Sequence, residues 1–180
     1  MKKVFVCAGM HLPDNKVMIE HAREVGRLLG EKGLIYVQGG SNQGLMGETL
    51  DEFLKYSKTV EFLIPKAYYD HDAPILENIV GSKDFNAVRV DGEAERLKII
   101  KNCDMIIVLP GGTGTLEELL YVNETGRSNE HEAAIFVVNS EGFYNGFLEQ
   151  IKTNIKTGFS KKTALHFEFV RNPSEINFNI

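Results

Sequence analysis

The stretch Val108-Leu-Pro-Gly-Gly-Thr-Gly-Thr-Leu-Glu-Glu-Leu-Leu120 carries the clearest signal of the fold, because it begins as a buried strand and ends as a helix. A glycine-rich turn between a strand and a helix commonly places a phosphate on the helix N-terminus, where backbone N–H groups and the helix dipole favour an anion. Glu117 and Glu118 follow in the first turn of this helix. Because carboxylates repel phosphate, the stretch indicates a site that also has to accommodate something cationic.

Apolar, β-rich runs recur along the whole chain. They cover Lys3–Ala8, Leu34–Val37, Val60–Ile64, Asn86–Val90, Met105–Leu109 and Ala134–Val138. They lack the alternation of a half-exposed strand, so they suit a parallel sheet that is covered on both faces. Helical stretches separate most of them, which predicts an α/β fold: a single Rossmann-like, doubly wound domain over residues 1–180 with a mostly parallel sheet.

Five helices are expected, four between these strands and one after the last strand. In the first, apolar residues repeat at three- and four-residue spacing from Met18 to Leu29, with Asp14 as the N-cap and Gly33 as the stop. The others are expected at about Leu45–Tyr56, at about Glu93–Asn102, from Thr115 onward and at about Glu141–Thr157.

Composition and charge limit the partners of the protein. Its 180 residues carry a formal net charge of -5, which gives no general attraction to nucleic acid or to anionic membranes. No apolar run approaches the length of a membrane span. Cys7 and Cys103 fall in or beside apolar runs, which favours buried free thiols in a reducing compartment. We therefore expect a soluble, cytoplasmic protein that binds neither nucleic acid nor membranes.

Three loops of unusual composition follow predicted strands. They are Gly9-Met-His-Leu-Pro13, Gly39-Gly-Ser-Asn-Gln-Gly-Leu-Met-Gly47 and Pro110-Gly-Gly-Thr-Gly-Thr115. Open parallel sheets bind ligands at the carboxyl ends of their strands, so these loops are expected to form one site. Tight turns without any ligand are the alternative explanation of the glycines.

Neither glycine-rich loop carries a standard nucleotide motif. Gly39 and Gly44 fit the first half of a P-loop, but Leu45 and Met46 stand where a lysine and a hydroxyl residue would hold phosphate and magnesium. In the stretch Gly112-Thr-Gly-Thr-Leu-Glu117, glutamate replaces the third glycine of the dinucleotide fingerprint. The chain is therefore predicted to be no ATPase and to bind no nicotinamide cofactor.

The histidines and cysteines show no metal-ligand spacing. The five histidines are His11, His21, His71, His131 and His166. We therefore expect neither a metal ion nor another cofactor.

A sugar cation beside a bound phosphate would explain both the carboxylates and the glycines. Cleavage of an N-glycosidic bond passes through an oxocarbenium-like sugar, and a nearby carboxylate stabilises this cation or activates water. Glu117 and Glu118 lie about 100° apart around a helix, so at most one of them can face a ligand. The alternative role of the two carboxylates is to stabilise the helix through a favourable interaction with its dipole, worth roughly 0.3–1 kcal/mol each.

The sequence resembles the LONELY GUY family, the cytokinin riboside 5′-monophosphate phosphoribohydrolases. Pro110-Gly-Gly-Thr-Gly-Thr-Leu-Glu-Glu118 matches its PGGxGTxxE motif, and the loop that ends in Gly44-Leu-Met-Gly47 resembles its second signature. Many relatives were once labelled lysine decarboxylases, but nothing in the sequence suggests a pyridoxal phosphate site. The resemblance implies hydrolysis of a nucleoside 5′-monophosphate, such as AMP, to a free base and ribose 5-phosphate by a metal-independent homodimer.

The family motif implies a role for individual residues. Its last glutamate is Glu118, which makes Glu118 rather than Glu117 the expected catalytic carboxylate. The expected phosphate- and substrate-binding residues are Gly111, Gly112, Gly114 and Thr115 in one loop, with Gly39, Gly40, Gly44 and Met46 on the opposite wall.

The resemblance also implies a catalytic arginine on the helix before the PGG strand, commonly within a Met-x-Glu-Arg-Lys pattern. The segment here is Gly92-Glu-Ala-Glu-Arg-Leu-Lys98, and Arg96 is the match. The methionine is missing, and the spacing from Arg96 to Asp104 is one residue shorter than expected, which can rotate the side chain away. The alternative is that Arg96 is a solvated charge on the helix surface. Arg89 is then the other candidate for the catalytic arginine.

The chain departs from the family pattern after Glu118. Relatives usually show a tryptophan–glutamine pattern and a His-x-Lys-Pro, whereas this chain continues with Tyr121-Val-Asn-Glu-Thr-Gly-Arg-Ser-Asn-Glu-His131 and contains no tryptophan. A different base pocket or dimer surface is therefore expected, and specificity for cytokinins stays open. The alternative functions are a non-catalytic nucleotide carrier or sensor of the same superfamily and a regulatory subunit that acts through protein contacts.

Overall fold

Seven parallel strands form one sheet in this computed structural model, which describes residues 1–69, 85–161 and 165–180. The strands are β1 (Lys3–Cys7), β2 (Ile35–Gln38), β3 (Val60–Pro65), β4 (Phe85–Val90), β5 (Met105–Val108), β6 (Ala134–Val138) and β7 (Glu168–Val170). Their order is β4-β3-β2-β1-β5-β6-β7, and every neighbouring pair is parallel. The prediction of a doubly wound α/β fold is confirmed, and the sheet is parallel throughout these strands.

Helices cover both faces of the sheet. They are α1 (Lys16–Glu31), α2 (Gly44–Phe53), α3 (Lys66–Tyr69), α4 (Glu93–Ile100), α5 (Thr113–Arg127) and α6 (Asn145–Lys156), with 3-10 turns at Ser140–Gly142 and Pro173–Glu175. Apolar side chains of α1 and α2 form one core cluster with one face of the strands, whereas those of α4 and α5 form a second cluster with the other face. Within the described ranges, no helix combines the length and apolar character needed to cross a membrane.

Two predicted helix boundaries are wrong. The N-cap of α1 is Asn15 rather than Asp14, because α1 begins at Lys16 and the Asn15 side chain accepts hydrogen bonds from the backbone N–H groups of Val17 and Met18. The last predicted helix does not begin at Glu141. Glu141 has a φ of 52°, a left-handed value that an α-helix does not allow, so a 3-10 turn forms first and α6 begins later.

Two glycines bring α1 and α2 into close contact. A Cβ atom on Gly26 would lie 2.2 Å from the carbonyl oxygen of Thr49, and one on Gly30 would lie 2.7 Å from the Cβ of Tyr56. No side chain fits between backbones at such distances. The contact fixes α2, and therefore the loop before it, against the first βα unit.

We predict that Gly26→Ala destabilises the protein by about 2 kcal/mol, since the added methyl group meets a backbone carbonyl that cannot move without shifting a helix. Urea unfolding measures the change in the free energy of unfolding. Gly146→Ala is the control, because Gly146 lies in α6 with no atom within 4 Å of the place that a Cβ would occupy, and alanine favours a helix there. Equal stabilities of the two variants would contradict the close packing of α1 and α2.

Candidate active site

The chain leaves β1 and β5 toward opposite faces of the sheet. These strands are neighbours, but β1 is followed by α1 and β5 by α5, which pack on different faces. The loops diverge at such a switch point and leave a crevice at the carboxyl ends of the strands. The three predicted loops follow β1, β2 and β5, and together they line a cleft of about 650 Å³. This volume suits a small-molecule ligand such as a nucleotide.

The backbone of Gly9 joins the three loops. Its N–H donates to the carbonyl oxygen of Pro110 at 3.0 Å, and its own carbonyl accepts from the N–H groups of Leu45 at 2.9 Å and Met46 at 3.3 Å. The loop after β1 is therefore bonded both to the loop after β5 and to the first turn of α2. This bonding sets the width of the cleft.

Close packing accounts for most glycines of the two motifs. Gly44 has a φ of 56°, and a Cβ on it would lie 2.3 Å from the carbonyl carbon of Met10. Gly40 has a φ of 92° and packs against Ile64. A Cβ on Gly111 would lie 2.1 Å from Oγ1 of Thr115. Tight turns, the alternative explanation from the sequence, therefore explain these three glycines without a ligand.

Gly112 and Gly114 are different, because no atom lies within 4 Å of where their Cβ atoms would be. Both line the cleft at the N-terminus of α5, where Gly112 is the N-cap and provides no side-chain hydrogen bond. The first N–H groups of a helix need a partner. Here the backbone is open to the cleft, so an anionic ligand can approach these groups directly.

Glu118 and Arg96 meet in the same cleft. Glu118 is buried on α5, whereas its neighbour Glu117 is exposed. Nη2 of Arg96 lies 2.8 Å from Oε1 of Glu118, and the Arg96 side chain is only 15% exposed. Despite the shorter spacing to Asp104, Arg96 is therefore not a solvated helix charge. Arg89 is exposed on the edge strand β4, and the described lining of the cleft does not include it.

Burial raises the pKa of the Glu118 carboxyl, and the Arg96 guanidinium lowers it without cancelling the effect of burial. The Cys7 thiol, at the end of β1, also lowers the pKa of this carboxyl. Burial and the neighbouring Glu118 carboxylate both raise the pKa of Cys7, which favours the protonated thiol. The result is a carboxylate with raised basicity beside a guanidinium and a thiol.

Some apolar residues of the cleft lie outside the three loops predicted from the sequence. Met10 and Leu12 belong to the predicted loop after β1, whereas Met18, Ile64 and Phe143 do not. Tyr144 is buried, and its hydroxyl donates to the carbonyl oxygen of Leu109 at 2.7 Å, which ties the region after β6 to the end of β5. These residues are scattered along the chain, and only the strand order brings them together.

The histidines are scattered in the structure as well. His11 lines the cleft, and His131 packs edge-to-face on His166 with ring centroids 5.4 Å apart. His21 hydrogen-bonds Ser140, and His71 lies outside the described residues. Across the described ranges, no group of three or more His, Cys, Asp or Glu side chains is placed to hold a metal ion.

A doubly wound parallel sheet with a glycine-lined cleft at its switch point is typical of α/β proteins that bind nucleotides and related cofactors. Residues 46–177 match the family model described as possible lysine decarboxylase. The cytokinin riboside 5′-monophosphate phosphoribohydrolase LOG1 of Arabidopsis thaliana is 32% identical over 165 residues, which are 92% of this chain and 75% of the relative. The chain therefore belongs to this family, which includes the LONELY GUY phosphoribohydrolases.

Other comparisons agree with this assignment. The cytokinin riboside 5′-monophosphate phosphoribohydrolase LOG of Oryza sativa subsp. japonica is 34% identical over 145 residues, which are 79% of this chain and 57% of the relative. Among solved structures, the molybdenum cofactor binding protein of Rippkaea orientalis has a TM-score of 0.62 at 17% identity and covers 97% of this chain and 92% of its own. At this identity the likeness shows the fold alone.

The family description does not fit the side chains in the cleft. A pyridoxal phosphate enzyme holds its cofactor as a Schiff base on a lysine. The described residues that line the cleft include no lysine. This composition disfavours decarboxylation of lysine through pyridoxal phosphate at this cleft.

The raised pKa of Glu118 predicts how stability changes with pH. Because its folded pKa lies above that of the unfolded chain, the folded state binds more protons between the two values. This stabilising contribution is fully present below the unfolded pKa and is lost as the pH rises through the folded pKa. As the pH rises above about 4.3, the ordinary pKa of a glutamate, wild-type protein should therefore lose stability relative to Glu118→Gln, which removes the titration.

Urea unfolding at a series of pH values measures this difference. Glu20→Gln is the control, because Glu20 is exposed on α1 and is not among the groups that act on the Glu118 carboxyl, so its stability should fall relative to Glu118→Gln as that of the wild type does. A pH-independent difference between wild type and Glu118→Gln would contradict the raised pKa.

Proposed function

We propose that this protein hydrolyses the N-glycosidic bond of a purine nucleoside 5′-monophosphate and releases the free base and ribose 5-phosphate. One observation carries the proposal: a buried carboxylate, Glu118, paired with Arg96, lies in the same cleft as an open helix N-terminus. The helix N-terminus favours the phosphate, and the carboxylate favours the sugar cation. A nucleoside monophosphate has both groups within one small molecule.

Each part of the cleft has a role in this reaction. The open backbone around Gly112 and Gly114, with Thr115 in the same turn, binds the phosphate. As the C1′–N bond breaks, its electron pair leaves with the base, which takes up a proton, and positive charge develops at C1′. Glu118 stabilises this charge or removes a proton from the attacking water, whose oxygen becomes bonded to C1′.

Arg96 is the second residue proposed to act directly. Its guanidinium lies against Gly39, whose Cβ position would be 2.9 Å from Nη1, and it also contacts Glu118. It can therefore orient the carboxylate and contact the substrate. Gly39, Gly40 and Met46 line the facing wall, whereas Gly44 packs against the backbone of Met10 and is not among the described residues that line the cleft.

Homodimerisation and a cytoplasmic location are proposed from the resemblance to the family. Exposed apolar side chains support an association surface around α5 and α6. Leu120 is 46% exposed and Phe159 is 88% exposed, and the apolar side chains of α6 are not fully buried. The net charge of -5 supports the absence of nucleic-acid binding.

The proposed function predicts release of adenine from AMP. Because the phosphate supplies binding energy away from the reacting carbon, kcat/KM for AMP should exceed that for adenosine by about 100-fold or more, a difference of roughly 2.7 kcal/mol. Chromatography of the products measures base release, and a panel of nucleoside monophosphates identifies the preferred base. Activity should persist in EDTA, since the proposed charges come from the protein.

Two outcomes would contradict this proposal. Tight binding of AMP without release of adenine would favour a carrier or sensor. A preference for adenosine over AMP would mean that the open helix N-terminus does not bind the phosphate.

Glu118→Gln should reduce kcat by about 100-fold or more, the scale of losing a general base or one electrostatic contact to a transition state. The variant keeps the side-chain shape, so the fold and the binding of nucleotide should be largely retained. Glu117→Gln is the matched control, because it makes the same change one residue away on the exposed side of α5. A large loss for Glu117→Gln with an active Glu118→Gln would show that the other carboxylate is catalytic.

A further inference from the structure

Arg96 is shared between two carboxylates. Its Nη2 lies 2.8 Å from Oε1 of Glu118 and 2.8 Å from Oε2 of Glu93. Glu118 comes from α5, whereas Glu93 is the first residue of α4, the helix that carries Arg96. The guanidinium therefore bridges the two helices through one nitrogen.

Stabilisation of its own helix does not explain the position of Glu93. Glu95, in the same first turn of α4, folds back over the helix start, where its Oε2 accepts from the N–H of Asp91 at 2.6 Å, just before the N-cap residue Gly92. Glu93 extends instead toward Arg96 three residues further on. Pairs of this spacing are usually solvated and weak, but the arginine here is only 15% exposed.

The guanidinium of Arg96 keeps a hydrogen-bond donor without an acceptor in this arrangement. Its Nε is buried and has no hydrogen-bond partner among the described residues. A carboxylate that faced both Nε and Nη2 would form the strong bidentate pair typical of arginine. Glu118 does not do so, since it contacts Nη2, the nitrogen that Glu93 also contacts.

We propose that Glu93 is a positioning residue of this cleft, which holds Arg96 by one nitrogen and prevents it from closing into a bidentate pair with Glu118. Arg96, which lines the cleft, then keeps guanidinium donors uncommitted to Glu118 and available for an acceptor oxygen of the substrate. Glu118 keeps a free carboxylate oxygen and more of its basicity. The catalytic consequence rests on the proposed function, but the competition for Arg96 is a property of the ligand-free protein.

The charges around Glu118 determine the effect of removing Glu93. Four described groups act on the Glu118 carboxyl: Arg96 and Glu93 from α4, the Cys7 thiol from β1, and Glu117 from α5. Glu93→Gln takes away a negative charge and leaves the guanidinium to Glu118 alone. Both changes lower the pKa of Glu118. A carboxylate with a lower pKa is a weaker general base, so turnover should decrease.

The matched control is Glu20→Gln in α1. Arg23 is also shared between a glutamate three residues before it, Glu20, and a carboxylate from another helix, Glu48, both at 2.8 Å. This second arrangement is exposed, and its residues do not line the cleft in the described structure. Glu20→Gln therefore breaks a pair of the same kind without changing the charge near Glu118.

The first measurement needs no activity. The side-chain carboxyl carbon of Glu118 is followed by NMR across a pH series in the ligand-free protein, and its signal is assigned by its loss in Glu118→Gln. The second measurement is the pH dependence of kcat and KM with AMP. For Glu93→Gln we expect the Glu118 midpoint and the acidic limb of the kcat profile to move to lower pH. We also expect kcat to decrease by about 10-fold at neutral pH, and Glu20→Gln should match wild type in both measurements.

An unchanged Glu118 midpoint in Glu93→Gln would overturn the proposal, whatever happens to turnover. An equal shift in Glu20→Gln would also overturn it, because the effect would then be one of net charge. A shifted midpoint in a protein that releases no base from any nucleoside monophosphate would support the role of Glu93 at the ion pair and contradict the proposed function. The two proposals are therefore separately testable.

Discussion

The hydrogen bonds of the Gly9 backbone N–H and carbonyl are the constraint on which the cleft depends. They connect the end of β1 with the loop after β5 and with the first turn of α2. A Cβ on Gly9 would lie 3.2 Å from the Cα of Gly111, so the approach of the two backbones is itself close. The strands fix one side of this junction, and the glycine-mediated packing of α1 on α2 fixes the other. The loops after β1, β2 and β5 are thereby held together and form the rim of the cleft.

The interior of this rim contains polar groups that a stable core would avoid. Glu118 is an acidic side chain whose burial raises its pKa, and the buried Nε of Arg96 has no partner among the described residues. Such groups destabilise a folded protein unless a ligand or another residue satisfies them. Both groups lie at the switch point of the sheet, where buried, unsatisfied polar groups favour a ligand site over an ordinary gap between loops.

The sequence predicts the architecture well because most of its parallel strands are buried on both faces and are therefore mainly apolar. It fails where tertiary contacts decide the conformation. The left-handed backbone at Glu141 is one such case, and it precedes a turn in which the N–H of Tyr144 bonds the side chain of Asn139 at 2.7 Å. The short strand β7 has too few residues for a recognisable pattern.

The candidate site shows the same division. The motif glycines, Glu118 and Arg96 can be chosen from the sequence, because the motif places them and the order of elements brings their loops to one edge. The contacts of Cys7 and Glu93 cannot be predicted in this way. Cys7 meets Glu118 only because β1 is the neighbour of β5 in the sheet. Glu93 meets Arg96 only because the guanidinium turns inward, which spacing along the helix does not determine.

The two kinds of glycine in the cleft have different evolutionary constraints. Replacement of Gly44 or Gly111 would strain the backbone or create a clash, so folding alone is sufficient to retain glycine there. At Gly112 and Gly114 a methyl group would enter empty space, and folding places little restriction on the residue. Under the proposed function, selection at these two positions would therefore act through the bound ligand. If a descendant lost the need for that ligand, these positions would be the first part of the motif to drift.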